Sequence, residues 1–164
     1  MKKICVVAVD IRSAHNIGSI LRTADGFSAE VIITGISPYP KLAIDERLPH
    51  IASKTDKSIA KTALGAETSV KWRYIPEVKT AIDTLKNEGY RIVSLEQTHS
   101  AIQLPAYKTD TPVALVVGPE VTGLNKDVIE ICDETIEIPM SGKKESFNVS
   151  VATGIALYHI RHVK

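Results

Sequence analysis

Cysteine is nearly absent: the chain has two, Cys5 and Cys132, each inside or beside an apolar segment and with no CxxC spacing. That excludes a disulfide framework and the common zinc and redox motifs, and both read as free core thiols in a reducing cytosol. A surplus of one charge is missing too, since 20 Lys plus Arg stand against 19 Asp plus Glu. Any polyanion site must therefore be a local patch. No apolar run approaches the roughly 18 residues of a membrane span. The N-terminal run in MKKICVVAVDIR is broken by Asp10 and Arg12 and lacks a small-residue cleavage site, so no secretory leader is expected. Internal repeats and low-complexity segments are absent, as are a P-loop and a GxGxxG fingerprint, which removes support for a Walker-type nucleotidase and a standard dinucleotide enzyme.

What is present is one domain's worth of chain, 164 residues at 44% hydrophobic content, in which strands and helices take turns. Ile4 to Val9 is a continuous β-branched run, followed by a helical spacing of Ile17, Ile20, Leu21, Ala24 and Phe27 over Asn16 to Phe27. Further strands are expected at 31–34, 69–75, 91–95, 113–117 and 135–138, and helices from Val78 to Asn87, Asn125 to Cys132 and Asn148 to about His162. The Pro-containing stretch from Ser37 to Gly65 reads as short helices without firm boundaries. Repeated βα units of this size favour an α/β fold with a mostly parallel sheet flanked by helices, and ligands at the carboxyl ends of the strands.

Three loops at those ends carry unusual polar groups. In DIRSAHNIGSILRTADGF, Asn16 suits the N-cap of the following helix, while Arg22 falls off the apolar stripe beside Gly18, Ser19 and Asp25. A solvated pair with Asp25 and a phosphate ligand both fit that position. In VALVVGPEVTGL a buried strand runs into Gly118, Pro119 and Glu120, a turn that lets a ligand approach backbone closely. In IPMSGKKESFNVSVATGIALYHI, Ser146, Asn148 and Ser150 crowd the mouth of an almost wholly apolar helix. One cap suffices there, which leaves a group to spare. That helix is apolar nearly all round, so burial on several sides is expected, with a second subunit on the outer side and another backbone close to Gly154.

In order, HNIGSILRTADGF, LVVGPEVTGL and IPMSGKKESFNVSVATGIALY resemble the three motifs of the SpoU (TrmH) family of RNA ribose 2′-O-methyltransferases, within the SPOUT superfamily. The resemblance spans essentially the whole chain. It implies an α/β domain with a C-terminal trefoil knot, S-adenosylmethionine bound in the knot, and a cytoplasmic homodimer. With only a few residues between Met1 and the first strand, a single domain over residues 1–164 is expected, without the N-terminal RNA-binding extension of longer members. No metal and no membrane are implied.

Carried over by position, Leu95, Gly118, Ile138, Met140 and Phe147 would surround the cofactor, and Arg22, Asn16, Glu120, Ser146 and Asn148 would form the catalytic group. The family mechanism often makes the arginine a base assisted by substrate phosphate. Arginine stays protonated in proteins, so phosphate clamping and electrostatic stabilisation suit Arg22 better, with Glu120 and Asn16 holding its guanidinium. The substrate implied is RNA, tRNA favoured over rRNA, the compact build being similar to members that act on the wobble nucleotide of tRNA. Candidate RNA-gripping patches are Lys54, Lys57 and Lys61, Lys71 to Arg73 with Trp72, and Lys143 with Lys144. A non-catalytic knotted RNA-binding dimer and a small-molecule enzyme on a similar sheet are the rival readings. His159 and His162 are placed to favour a helix C-terminus rather than a metal.

Overall fold

The computed structural model describes residues 2–163. Seven strands form one sheet: β1 Ile4–Val9, β2 Glu30–Thr34, β3 Trp72–Ile75, β4 Arg91–Leu95, β5 Ile102–Gln103, β6 Val113–Val117 and β7 Glu134–Glu137. Their order is β3-β2-β1-β6-β4-β7-β5, and every pairing is parallel. The helices are α1 Ala14–Gly26, α2 Pro49–Ala63, α3 Ala66–Ser69, α4 Val78–Asn87, α5 Lys126–Glu130 and α6 Val149–His162. β1 and β6 are buried at every residue, which is why their sequences run apolar without alternation.

The alternation appears instead in which face each residue serves. Ile4, Val6, Ala8, Leu115 and Val117 face α1, α2 and α6, while Cys5, Val7, Ala114 and Val116 face α4 and α5. Burying one side chain such as Ile20 or Leu115 contributes roughly 1.5–3 kcal/mol. Cys5 belongs to this core, and burial pushes its thiol up to about 12; burial likewise raises Cys132 to about 11. Neither is poised as a thiolate.

Several expectations shift. The strand expected over 69–75 starts only at Trp72, because Ala66–Ser69 closes a helical turn. β5 has just two residues, too few to leave a pattern. The Pro-containing stretch resolves into α2, with Pro at its first turn, preceded by a loop that Arg47 holds together. Its guanidinium bonds Asp45 at 2.6 and 2.8 Å and the Tyr39 carbonyl at 2.9 Å, and lies 3.7 Å over the Tyr39 ring, which stacks on Tyr74. The pairing holds the Asp45 carboxyl well below the usual carboxylate range.

Within one chain α6 is buried on its inner face, and the outer side expected to meet a second subunit is open. Val149, Ala156, Leu157 and Ile160 are buried, but Val151 and Tyr158 remain 50% and 61% exposed. Nor does any backbone press on Gly154, where a Cβ would meet only the Thr23 methyl at 3.5 Å. His159 is spent on the Tyr107 carbonyl at 2.7 Å, and His162 lies against the Phe27 and Tyr158 rings. Among the described residues no helix is long and apolar enough to cross a membrane, and no cluster of His, Cys, Asp or Glu is placed to hold a metal.

Candidate active site

α1 begins three residues earlier than a cap at Asn16 would place it. Ser13 is the N-cap, its hydroxyl accepting from the Asn16 N–H at 3.2 Å. Asn16 is therefore not the cap expected from the sequence, and its side chain is free for other work. Its amide donates to Glu120 Oε1 in the loop after β6, and its Oδ1 accepts from Asn148 Nδ2 at 3.3 Å. The amide's orientation follows from chemistry: a carboxylate can only accept, so the NH2 must face Glu120.

Asn148 serves two purposes. Its Oδ1 caps α6 by accepting from the Ser150 N–H at 2.9 Å and the Ser150 hydroxyl at 2.7 Å, while its Nδ2 reaches back to Asn16. Ser150 is thereby satisfied. Ser146, exposed and without a hydrogen-bond partner among the described residues, is the spare group of that crowded mouth.

A cavity of about 340 Å³ opens at the carboxyl ends of β4, β6 and β7, and Asn16 and Asn148 connect to its lining through Glu120. Leu95, Gly118, Ile138, Met140 and Phe147 all line it, together with Glu120 and Ser146. Gly118 is needed for a reason internal to the fold: a Cβ there would sit 2.8 Å from Leu124 Cδ2 and 2.9 Å from its backbone nitrogen. The close approach is by the loop's own return, not by open space left for a ligand.

Two lining residues escaped the sequence reading. Glu96 accepts from the Leu124 N–H at 2.7 Å, and Gln97 donates to the Glu145 carbonyl at 2.6 Å. From the end of one strand they tie down the loops after β6 and after β7. The available signal was a polar pair directly following the apolar strand RIVSL. Glu96, Glu120, Glu137 and Glu145 line the cavity beside its apolar residues, three of them also accepting bonds from Leu124, Asn16 and Gln103, a combination suited to a ligand with a flat apolar part and positive charge.

Arg22 stands apart. It lies six residues beyond Asn16, about 9 Å along α1 and roughly 120° from it around the helix, and it contacts neither Asn16 nor Glu120. Those two hold each other, so the expected grip on the guanidinium is not formed. The solvated pairing with Asp25 is not formed either, since Asp25 accepts from the Ser69 hydroxyl at 2.9 Å. On α1, Ile17, Leu21 and Ala24 face the core, Gly18 meets α2, and Thr23 lies toward α6. His15 and Arg22 are left on the exposed ridge between.

Known proteins resemble this chain along most of its length. A tRNA (guanosine(18)-2′-O)-methyltransferase of Aquifex aeolicus is 31% identical over 96% of this chain and 68% of its own length. A 23S rRNA (guanosine-2′-O-)-methyltransferase of Burkholderia sp is 32% identical over 93% of this chain and 57% of its own. Among solved structures, the SpoU methyltransferase AviRb from Streptomyces viridochromogenes in complex with the cofactor AdoMet shares the fold, with a TM-score of 0.77, 24% identity, and coverage of 96% of this chain and 56% of that one. The chain thus spans little more than half to two thirds of these relatives. The model of the SpoU rRNA Methylase family matches residues 3–158, a span that takes in all three polar loops and the sheet that aligns them, and the chain belongs to that family.

Proposed function

We propose that this chain transfers a methyl group from S-adenosylmethionine to a ribose 2′-hydroxyl of RNA, tRNA favoured over rRNA, and works as a cytoplasmic homodimer. The observation that carries the reading is the Glu120–Asn16–Asn148 chain, which joins all three motif loops beside the cavity that Glu120 lines. Favouring tRNA rests on the Aquifex relative, which covers the larger share of both chains.

The residues fit the cofactor. Leu95, Ile138, Met140 and Phe147 offer apolar walls to an adenine, and Glu96, Glu137 and Glu145 in the same lining bring negative charge to the side where a sulfonium and an amino group would lie. When bound, it supplies the methyl group. Ser146 is free to hydrogen-bond it or the incoming hydroxyl. Asn16 and Asn148, fixed by Glu120 and by the α6 cap, hold the hydroxyl in line. Arg22, on its open ridge, clamps the neighbouring phosphate and offsets negative charge on the ribose oxygen as the hydroxyl proton leaves to solvent and the oxygen takes the methyl group.

Two further features support the family architecture. β7 lies between β4 and β5, and Glu96 and Gln97 bind the loops on either side of it; this is the arrangement expected if the C-terminal segment is threaded as a trefoil knot. Val151, Ile155 and Tyr158 form an exposed apolar stripe on α6 that a second copy would cover.

Titration calorimetry with S-adenosylmethionine and mass-spectrometric mapping of ribose methylation in cells with and without the gene test the reading. Binding to the purified protein and loss of a methyl group from one tRNA position are expected. A methyl group lost from rRNA moves the substrate, and a protein that binds no cofactor sinks the proposal.

A further inference from the structure

Of the three candidate basic patches, ion pairing neutralises the one on β3; Lys143 with Lys144 is a pair confined to the loop after β7, whereas α2 carries in line three lysines that are unpaired among the described residues. On β3, Lys71 pairs with Glu30 at 2.7 Å and Arg73 with Glu88 at 3.2 Å. The cations of α4, β4 and α5 are likewise paired, with Asp83, Asp133, Glu134 and Glu130. α2 is different. Its Lys54, Lys57 and Lys61 are exposed, and none forms an ion pair among the described residues.

Helical geometry gathers these lysines. With Ala52, Ile59 and Ala63 buried, successive residues step by about 100°, so His50, Lys54, Lys57 and Lys61 fall together on the side opposite the core. The helix's one acid, Asp56, is turned toward the core side and accepts from the Lys41 N–H at 2.8 Å. The stripe therefore has no counter-charge of its own, unlike a typical solvated helix face with mixed signs.

The stripe also ends at the site. Thr62, next to Lys61, donates its hydroxyl to the His15 carbonyl at 2.8 Å, and His15 adjoins Asn16. Gly18 permits this crossing, because a Cβ there would lie 2.3 Å from the Ile59 carbonyl. Lys61, His15 and Arg22 are all exposed, and the Thr62–His15 bond joins the helix of the lysines to the helix of Arg22.

We propose that the α2 lysine stripe is a track for the RNA phosphodiester backbone, delivering the strand across Arg22 to the Asn16–Asn148 mouth. This rests on the proposed activity but is tested apart from it. The probe is a pool of unmodified tRNA transcripts, bound between 50 and 200 mM salt by wild type, by the triple variant K54Q/K57Q/K61Q, and by K71Q/R73Q as the control. Removing three phosphate contacts should flatten the slope of log K against log salt by about 2–3. Affinity should fall at least tenfold, while cofactor binding and melting temperature stay at wild type. The control, whose cations are already neutralised, should bind within about twofold of wild type. Equal affinity and slope for the triple variant, or an equal loss in the control, overturns the track. If lysine-dependent binding is seen but wild type transfers no methyl group to RNA from a strain lacking the gene, the activity fails and the track stands.

Discussion

The two ends of the sheet solve opposite problems with opposite charges. At the amino end, Lys2 donates to the carbonyls of Thr109 and Ile160, and Arg161 donates to those of Lys2, Phe27 and Ser28. At the carboxyl end, Asp10 accepts from the Ile36 N–H at 3.0 Å, Glu96 from Leu124 at 2.7 Å, and Glu120 from Asn16. An all-parallel sheet makes this unavoidable. α1 and α6 start at the carboxyl end, with unpaired N–H groups and positive dipole ends that favour acceptors, and they finish at the other end with unpaired carbonyls that favour donors. The difference lies in what is left over. At the amino end Lys2 and Arg161 are spent on backbone, whereas at the carboxyl end Ser146 is left unspent beside the cavity, and Arg22 is left unspent two turns further along α1. Unspent polar groups beside a cavity are available to a ligand.

The contrast breaks most visibly at Arg22. If its guanidinium clamps phosphate and stabilises the forming alkoxide, Arg22→Ala should lower single-turnover methyl transfer a hundredfold or more, about 2.7 kcal/mol. Stability should change by no more than about 0.5 kcal/mol, since nothing in the chain leans on the side chain. Arg22→Lys should rescue little, because an ammonium lacks the planar fork. Near wild-type transfer by Arg22→Ala, with cofactor bound, would remove Arg22 from the site.

The mirror experiment is at the amino end. Burial holds Arg161 below its ordinary proton affinity, yet its charge binds three carbonyls, one of them the Lys2 carbonyl at 2.6 Å. Arg161→Met leaves those acceptors without donors and should cost about 2 kcal/mol in urea denaturation. Transfer per folded molecule should stay at wild type. A rate loss without a stability loss would mean the two ends are coupled and the division drawn above is false.

That division explains what the sequence could and could not reveal. β1, β6 and the apolar face of α1 are legible because burial on both sides of a parallel sheet writes continuous β-branched runs and a 3.6-residue stripe. β5 is not legible, since two residues cannot show a period. Leu95, Gly118, Ile138, Met140 and Phe147 fell into one cavity because motif loops at the carboxyl ends of neighbouring parallel strands must converge. Glu96 and Gln97 were missed for a physical reason: their role is to hold backbone groups of loops some 28 and 48 residues away, and sequence spacing carries no trace of such contacts. Arg22 shows the opposite limit. Its position on the helix was readable, but which group would hold it was not, because Asn16 and Glu120 had a better partner in each other.

Ser13 is where the two regions overlap, and there the smallest effect is expected. It belongs to the carboxyl end, yet its hydroxyl is spent on backbone, capping the helix that begins at Ala14 and presents Asn16 two residues on. Ser13→Ala removes one acceptor from the first turn and should lower stability by about 1 kcal/mol, while Ser13→Asp, which keeps an acceptor and suits the positive helix end, should restore it. Asn16 remains tethered by Glu120 and Asn148, so the loosened first turn should cost transfer less than the hundredfold expected at Arg22, within about threefold. Paired urea denaturation and single-turnover rates on the two variants measure both quantities. A large rate loss in Ser13→Ala that Ser13→Asp repairs would show that the cap, rather than the Glu120 tether, sets the position of Asn16.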